Sequence, residues 1–222
     1  MPDAPSESPS QSSSPATGSA LPSNWRRVVD KSTRGPVVAF IVSATAWLLI
    51  GSLLALIASF KFQFPDWWVQ QSWLTFGRVR PAHLNTMIYG WISMAGVGIS
   101  IWLWARLLKT KLRGQWLLLI SIGLWNLGMI VGTIGILAGY SRAIEWVEMP
   151  YAAFAFIVPS LLLVVGSFIQ TLWHRHVEHL YISVWYLGAS ILWGPFLVVA
   201  YQFLPLIVAY ARDKRRFILF GG

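Results

Sequence analysis

The chain contains no cysteine, which excludes disulfides, thiolate metal sites, iron–sulfur clusters and thiol catalysis together. Charge is nearly as scarce: only 11% of the 222 residues are charged, where a soluble domain carries about a quarter. None of the 8 acidic residues falls inside the long apolar runs, and no lysine does either, so no proton relay built on such groups is visible. Glycine-rich phosphate loops and a nucleophile elbow are also missing.

What the chain has is apolar length. Hydrophobic residues make up 56% of it and the mean hydropathy is +0.59. Five uncharged runs reach the ~20 residues needed to cross a bilayer: about 36–60, 83–103, 116–140, 151–173 and 180–204. Each must be helical, because lipid offers no partner to free backbone groups. The expected fold class is an all-α polytopic membrane protein of about five transmembrane helices in residues 36–204. Residues 1–24, rich in Ser and Pro, bury too little apolar surface to order themselves and are expected to be a disordered tail. The tail extends through a basic juxtamembrane end to residue 35.

The formal charge of +9 raises the question of nucleic acid, but the basic residues sit beside the apolar runs, a topology signal, so none is expected. Arg26, Arg27, Lys31 and Arg34 precede the first run; Arg106, Lys109, Lys111 and Arg113 follow the second. Positive-inside bias then places the amino terminus and second loop in the cytoplasm, with the first and third loops outside. Trp67, Trp68, Trp73, Trp102, Trp104, Trp116, Trp146 and Trp173 fall near run ends, as an interfacial belt requires. One feature disagrees. After five spans the carboxyl end should be outside, yet it carries Arg212, Lys214, Arg215 and Arg216. Either the last run re-enters at Pro195 or Pro205, or the basic tail 205–222 is not the native continuation of the fold; the second is preferred.

Small residues mark helix contacts. Gly128, Gly132, Gly135 and Gly139 form two GxxxG pairs in the third run, and Gly90, Ser93, Ala95, Gly96, Gly98 and Ser100 line the second.

The stretch Thr75–Trp91, TFGRVRPAHLNTMIYGW, puts a histidine at the mouth of the second run. Such a residue needs a polar or metal partner. Met87, Gly90, Met94 and Val97 follow His83 at helical spacing on one face. Gly90 removes a side chain where a flat ring hanging from His83 would lie, Arg78 and Arg80 sit where propionates would emerge, and Pro81 would open the helix. Haem with an imidazole ligand explains these features together. A histidine capping its helix, with arginines as interfacial anchors, explains them separately, and the residues alone leave both open.

Arg78, Arg80, Pro81, His83 and Asn85 resemble the Arg-x-Arg-Pro-x-His-x-Asn stretch opening the second helix of subunit I in cbb3-type cytochrome c oxidases, the C family of haem–copper oxidases. A weaker likeness runs from about Val38 to about Gly194. The resemblance implies the first helices of a twelve-helix subunit, in the cytoplasmic (inner) membrane of a bacterium. It implies His83 as an axial ligand of low-spin haem b, with Arg78 and Arg80 on its propionates. The implied activity is electron transfer from cytochrome c to dioxygen with proton pumping, in a complex with other oxidase subunits, including membrane-anchored c-type cytochromes.

The family's copper and high-spin haem are held by histidines of its later helices. This chain has 4 histidines, three of them in one loop, so those groups are expected only in a complete subunit. The chain is expected to be a fragment or truncated product, inactive alone. His174, His176 and His179 (HRHVEH) offer three imidazoles for a metal, but a hydrated, topology-setting loop is the simpler account. They also lie a membrane's thickness, ~30 Å, from His83. Two alternatives remain: a non-catalytic five-helix protein without haem, and a small metal-handling or transport protein using the HRHVEH loop.

Overall fold

A computed structural model of the chain describes residues 23–142 and 144–220. These residues form long helices and no strand. The helices are α1 (Trp25–Gln63), α2 (Phe76–Leu107), α3 (Gln115–Ala138), α4 (Tyr151–Trp173) and α5 (Ile182–Phe220), with a 3₁₀ turn at Ser72–Leu74 before α2. All five carry a stretch long and apolar enough to cross a membrane; in α5 it is Ile182–Gln202. The polytopic all-α architecture expected from the apolar runs is therefore present.

The bundle is apolar outside as well as inside. Leu49, Leu53, Ile134 and Leu162 are exposed, as lipid-facing residues are, while Phe40, Met94, Trp125, Met129 and Ile157 fill the centre. Lipid supplies little hydrophobic drive between helices, so contact depends on small residues and polar links. A Cβ on Gly128 would stand 2.9 Å from the Ala153 carbonyl oxygen, and one on Gly132 would stand 2.5 Å from Met149 Sδ. Gly135 meets the Pro150 ring just before α4, so α3 packs closely along the entry to α4 and touches its backbone at Gly128. Polar links join α1 to α3: Trp47 donates to Asn126 Oδ1 at 2.9 Å, and Asn126 donates to Ser43 Oγ at 3.1 Å.

Gly139 does a different job from the other three glycines of its pattern. It ends α3 at φ 98, with its N–H on the Ile136 carbonyl at 3.0 Å and the Tyr140 N–H on the Gly135 carbonyl at 2.9 Å. That paired closure needs a left-handed residue, which glycine adopts without strain.

The helix ends depart from the apolar runs. α1 begins at Trp25 and carries the basic juxtamembrane segment as helix. There the Asp30 carboxylate receives Arg106 Nε at 2.8 Å, Arg106 Nη2 at 2.9 Å and Trp102 Nε1 at 3.0 Å, clasping α1 to the far end of α2. α2 begins at Phe76, so Pro81 lies inside it rather than opening it. The missing N–H forgoes only the bond to the Gly77 carbonyl, which the surrounding helix tolerates. The helix α5 passes through Pro195 and Pro205 without a break and includes the basic residues to Arg216, so the chain does not re-enter at either proline. The tail expected to be disordered lies, up to residue 22, outside the described residues.

Candidate functional site

Helix α2 is not regular. It is α-helical over Phe76–Asn85, π-helical over Thr86–Ile92, and α-helical again over Ser93–Leu107. Thr86 Oγ1 lies 2.9 Å from the Ala82 carbonyl and 2.8 Å from that of His83, and Ser93 Oγ bonds the Ile88 carbonyl at 2.8 Å. The two hydroxyls thus engage carbonyls at either end of the wide turn. Such π segments recur at functional sites, and this one begins at Thr86, less than a turn after His83.

His83 is half-buried and faces α1. Its Nδ1 lies 2.9 Å from the carbonyl oxygen of Gly51. A carbonyl only accepts, so the hydrogen on Nδ1 is fixed, and in the neutral imidazole Nε2 is the nitrogen that carries the lone pair. Nε2 has no hydrogen-bond partner among the described residues. Gly51 permits the approach: a Cβ there would be 2.7 Å from Met87 Sδ and 3.0 Å from Thr86 Oγ1.

The arginines are each engaged with protein. Arg78 Nη1 donates to the Leu137 carbonyl at 3.1 Å, at the carboxyl end of α3 where the helix dipole is negative. Its guanidinium also fills the space a Gly139 side chain would take. Arg80 pairs loosely with Glu145 at 3.7 Å, both well exposed. Gly90 does not border an open slot. A Cβ on it would be 2.7 Å from Trp47 Cβ, so the glycine lets α1 approach α2. His83, Met87 and Gly90 do share a face, and that face is applied to α1.

A buried carboxylate escaped the sequence. Asn85 Nδ2 donates to Glu148 Oε2 at 2.7 Å, with both residues buried, and also to the Pro81 carbonyl at 2.9 Å. By sequence Glu148 is one acid of the short segment between the third and fourth apolar runs. In the structure the loop after α3 folds onto the end of the bundle. The Arg142 N–H meets the Glu148 carbonyl at 2.8 Å, and the Arg142 guanidinium lies 4.0 Å above the Tyr151 ring and bonds the Gln202 side chain. Tyr89 donates to the Trp146 carbonyl at 2.9 Å. Asn85 and Glu148 are 63 positions apart, and no local pattern signals their meeting.

The other histidines stay apart. His174 turns its Nδ1 to the Gln170 carbonyl of its own helix at 2.8 Å, and the His176 N–H bonds the Leu108 carbonyl at 3.1 Å. Among the described residues no three of His, Cys, Asp or Glu converge to hold an ion.

The model of the cytochrome c and quinol oxidase polypeptide I family matches residues 35–217. The chain belongs to that family. The match spans α1 from residue 35, all of α2, α3 and α4, and nearly all of α5, with His83 and its partner Gly51 inside it. Among relatives, it is 26% identical over 153 residues to the cbb3-type cytochrome c oxidase subunit CcoN1 of Stutzerimonas stutzeri, covering 69% of this chain and 32% of that protein. It is 22% identical over 191 residues to a cytochrome c oxidase subunit 1 homolog (bacteroid) of Bradyrhizobium diazoefficiens, covering 85% of this chain and 34% of the relative. With the cytochrome c oxidase subunit 1 of Rhodobacter capsulatus it shares 24% over 156 residues, 68% of this chain and 29% of the other. The chain therefore spans about a third of the length of these curated relatives. The resemblance carried by Arg78–Asn85 holds at the level of the family. Five membrane-length helices and bacterial relatives together indicate a bacterial membrane protein.

Proposed function

We propose that this chain carries the part of a cbb3-type oxidase subunit I that supplies one axial ligand, His83, to low-spin haem b. The hydrogen bond from His83 Nδ1 to Gly51 carries the proposal. Metal-bound imidazoles almost always donate their second ring N–H to a carbonyl or carboxylate, which fixes the tautomer and orientation of the ring. That partner is in place, and Nε2 is the nitrogen left for iron.

Arg78 and Arg80 fit propionates in part. A guanidinium has five donors, and each arginine spends few of them on Leu137 and Glu145. Gly90 is not included, because Trp47 occupies its space. When bound, haem supplies a one-electron redox centre whose potential is set by its axial ligands and surroundings. The chain's own share is to hold the imidazole in one tautomer against α1 and to offer cationic hydrogen-bond donors beside it.

Electron transfer from a c-type cytochrome to dioxygen, and proton pumping, belong in this proposal to the whole subunit with its partner subunits. The histidines for copper and high-spin haem are not among the 4 present, so the 222-residue chain alone should not reduce oxygen. The amino terminus and the loop between α2 and α3 are taken as cytoplasmic from their basic residues.

The test is a reduced-minus-oxidised spectrum of the purified chain, and of a subunit containing it, for wild type, His83→Ala and His174→Ala. A b-type band lost in His83→Ala and kept in His174→Ala is the expected result. An unchanged band in a folded His83→Ala protein would refute the ligand role and leave a helical bundle whose histidine only ties α2 to α1.

A further inference from the structure

At the basic end of the bundle a cavity of about 170 Å³ lies between the start of α1, the loop joining α2 to α3, and the loop joining α4 to α5. Trp25, Lys109, Lys111, Arg113 and His176 are among its lining residues. Four of these five carry or can carry positive charge. Neither lysine nor Arg113 has a carboxylate partner among the described residues. The acid on the neighbouring turn of α1, Asp30, has both oxygens taken by Arg106 and Trp102. Glu178, in the α4–α5 loop, is exposed and does not line the cavity.

The site is built rather than draped. The Leu112 N–H bonds Ser32 Oγ on α1 at 3.0 Å, and the Arg113 N–H bonds Thr171 Oγ1 on α4 at 3.1 Å. Ser167 returns a bond to the Arg113 carbonyl at 2.7 Å, and the His176 N–H holds the Leu108 carbonyl at 3.1 Å. The loop is therefore pinned to two helices and a second loop, which fixes the spacing of its cations. Within this frame Arg113 Nε is buried and has no partner. An unpaired buried donor is costly, and an acceptor oxygen would relieve it.

A second, independent observation concerns Lys109. α2 ends with the same paired closure as α3: the Thr110 N–H bonds the Ala105 carbonyl at 3.2 Å and the Lys109 N–H bonds the Arg106 carbonyl at 3.3 Å. In α3 the left-handed position of this closure is Gly139; in α2 it is Lys109, at φ 51. A lysine there accepts backbone strain that glycine avoids, and strain of this kind collects at functional positions. Lys109 lines the same cavity as Lys111 and Arg113.

We propose that this cavity binds the phosphate of an anionic phospholipid headgroup. Basic pockets between membrane helices at the lipid surface suit such headgroups. Trp25 lines the same cavity, and indole rings favour the headgroup level. The chemistry recognised is a phosphate monoanion or diester, met by ammonium and guanidinium donors. The assignment does not depend on haem binding or on which side of the membrane this end faces.

Native mass spectrometry of the detergent-purified chain tests it, with phosphatidylglycerol, phosphatidylcholine and inorganic phosphate each titrated separately. Phosphatidylglycerol should bind in preference to phosphatidylcholine. Lys109→Gly and Arg113→Gln should each weaken its binding by about fivefold, the scale for one basic residue near a lipid surface. Lys31→Gln removes an exposed charge from the same end and should leave binding unchanged. Lys109→Gly also reports on folding: with glycine in the left-handed position its unfolding midpoint should hold or rise, so weakened binding there cannot come from a damaged loop. Equal binding of the two lipids, or an equal loss in Lys31→Gln, would overturn the pocket in favour of diffuse surface charge. Saturable inorganic phosphate binding without lipid preference would overturn the lipid as its source.

Discussion

His83 and Gly51 are joined across the α1–α2 contact by one hydrogen bond of 2.9 Å, and the same glycine leaves room for Met87 and Thr86 beside it. Packing and tautomer control therefore meet at one backbone position. Gly51→Ala should push α2 outward, because the new Cβ would lie 2.7 Å from Met87 Sδ and 3.0 Å from Thr86 Oγ1. Overpacking of this size costs about 1–3 kcal/mol. A lower thermal midpoint and a shifted reduced haem band are expected together, whereas Gly35→Ala, with nothing within 4 Å, should move neither.

Helix α3 supplies a cleaner steric test. Gly128→Ala would place its Cβ 2.9 Å from a backbone oxygen that cannot swing aside, while Gly123→Ala meets nothing within 4 Å. The first should lower resistance to denaturing detergent by about 1–3 kcal/mol. The second should be neutral or slightly stabilising, since alanine favours helix. Equal behaviour of the two variants would count against the close α3–α4 contact.

The buried Asn85–Glu148 pair predicts a non-additive cycle. Asn85→Leu leaves the Glu148 carboxylate without its 2.7 Å donor. The loss should be about 1–3 kcal/mol or more, since a charged group is stranded. Adding Glu148→Leu should recover part of it, because removing both partners is milder than removing one. Unfolding midpoints of the single and double variants measure the coupling.

Reporter fusions address orientation. A reporter after Lys111 should be active on the cytoplasmic side and one after Glu145 on the exported side, as the basic loop residues require. The opposite pattern would move His83 to the inner face and reverse the assignment of both ends of the bundle.

The crossing segments were legible because lipid forces helix on any long uncharged run, whatever its detail. The ends were not. Hydropathy registers where apolar residues stop, and α1 continues as helix back to Trp25 through a charged segment whose Asp30 is held by Arg106 and Trp102. Pro81 read as a helix start because proline favours that position, yet the preceding turn from Phe76 outweighed one missing bond. His83 stood out as a lone imidazole at a span's mouth, but its partner is a backbone carbonyl 32 positions away, which no side-chain pattern encodes. Gly90 matched the spacing for a ring and was taken instead by Trp47, since a missing side chain says that something approaches without saying what. The π turn over Thr86–Ile92 likewise has no sequence signature of its own.

The Asp30–Arg106 clasp has a consequence for biosynthesis. Its two ends are 76 positions apart in sequence, but both lie at the same end of the first helix pair. The fork can close only after α2 has returned across the bilayer to the level of α1's first turns. It therefore latches a finished hairpin and cannot engage a nascent α1 alone. Closing a short connection is entropically cheap, so the latched pair can leave the insertion machinery as a unit and offer its α2 surface to the helices that follow.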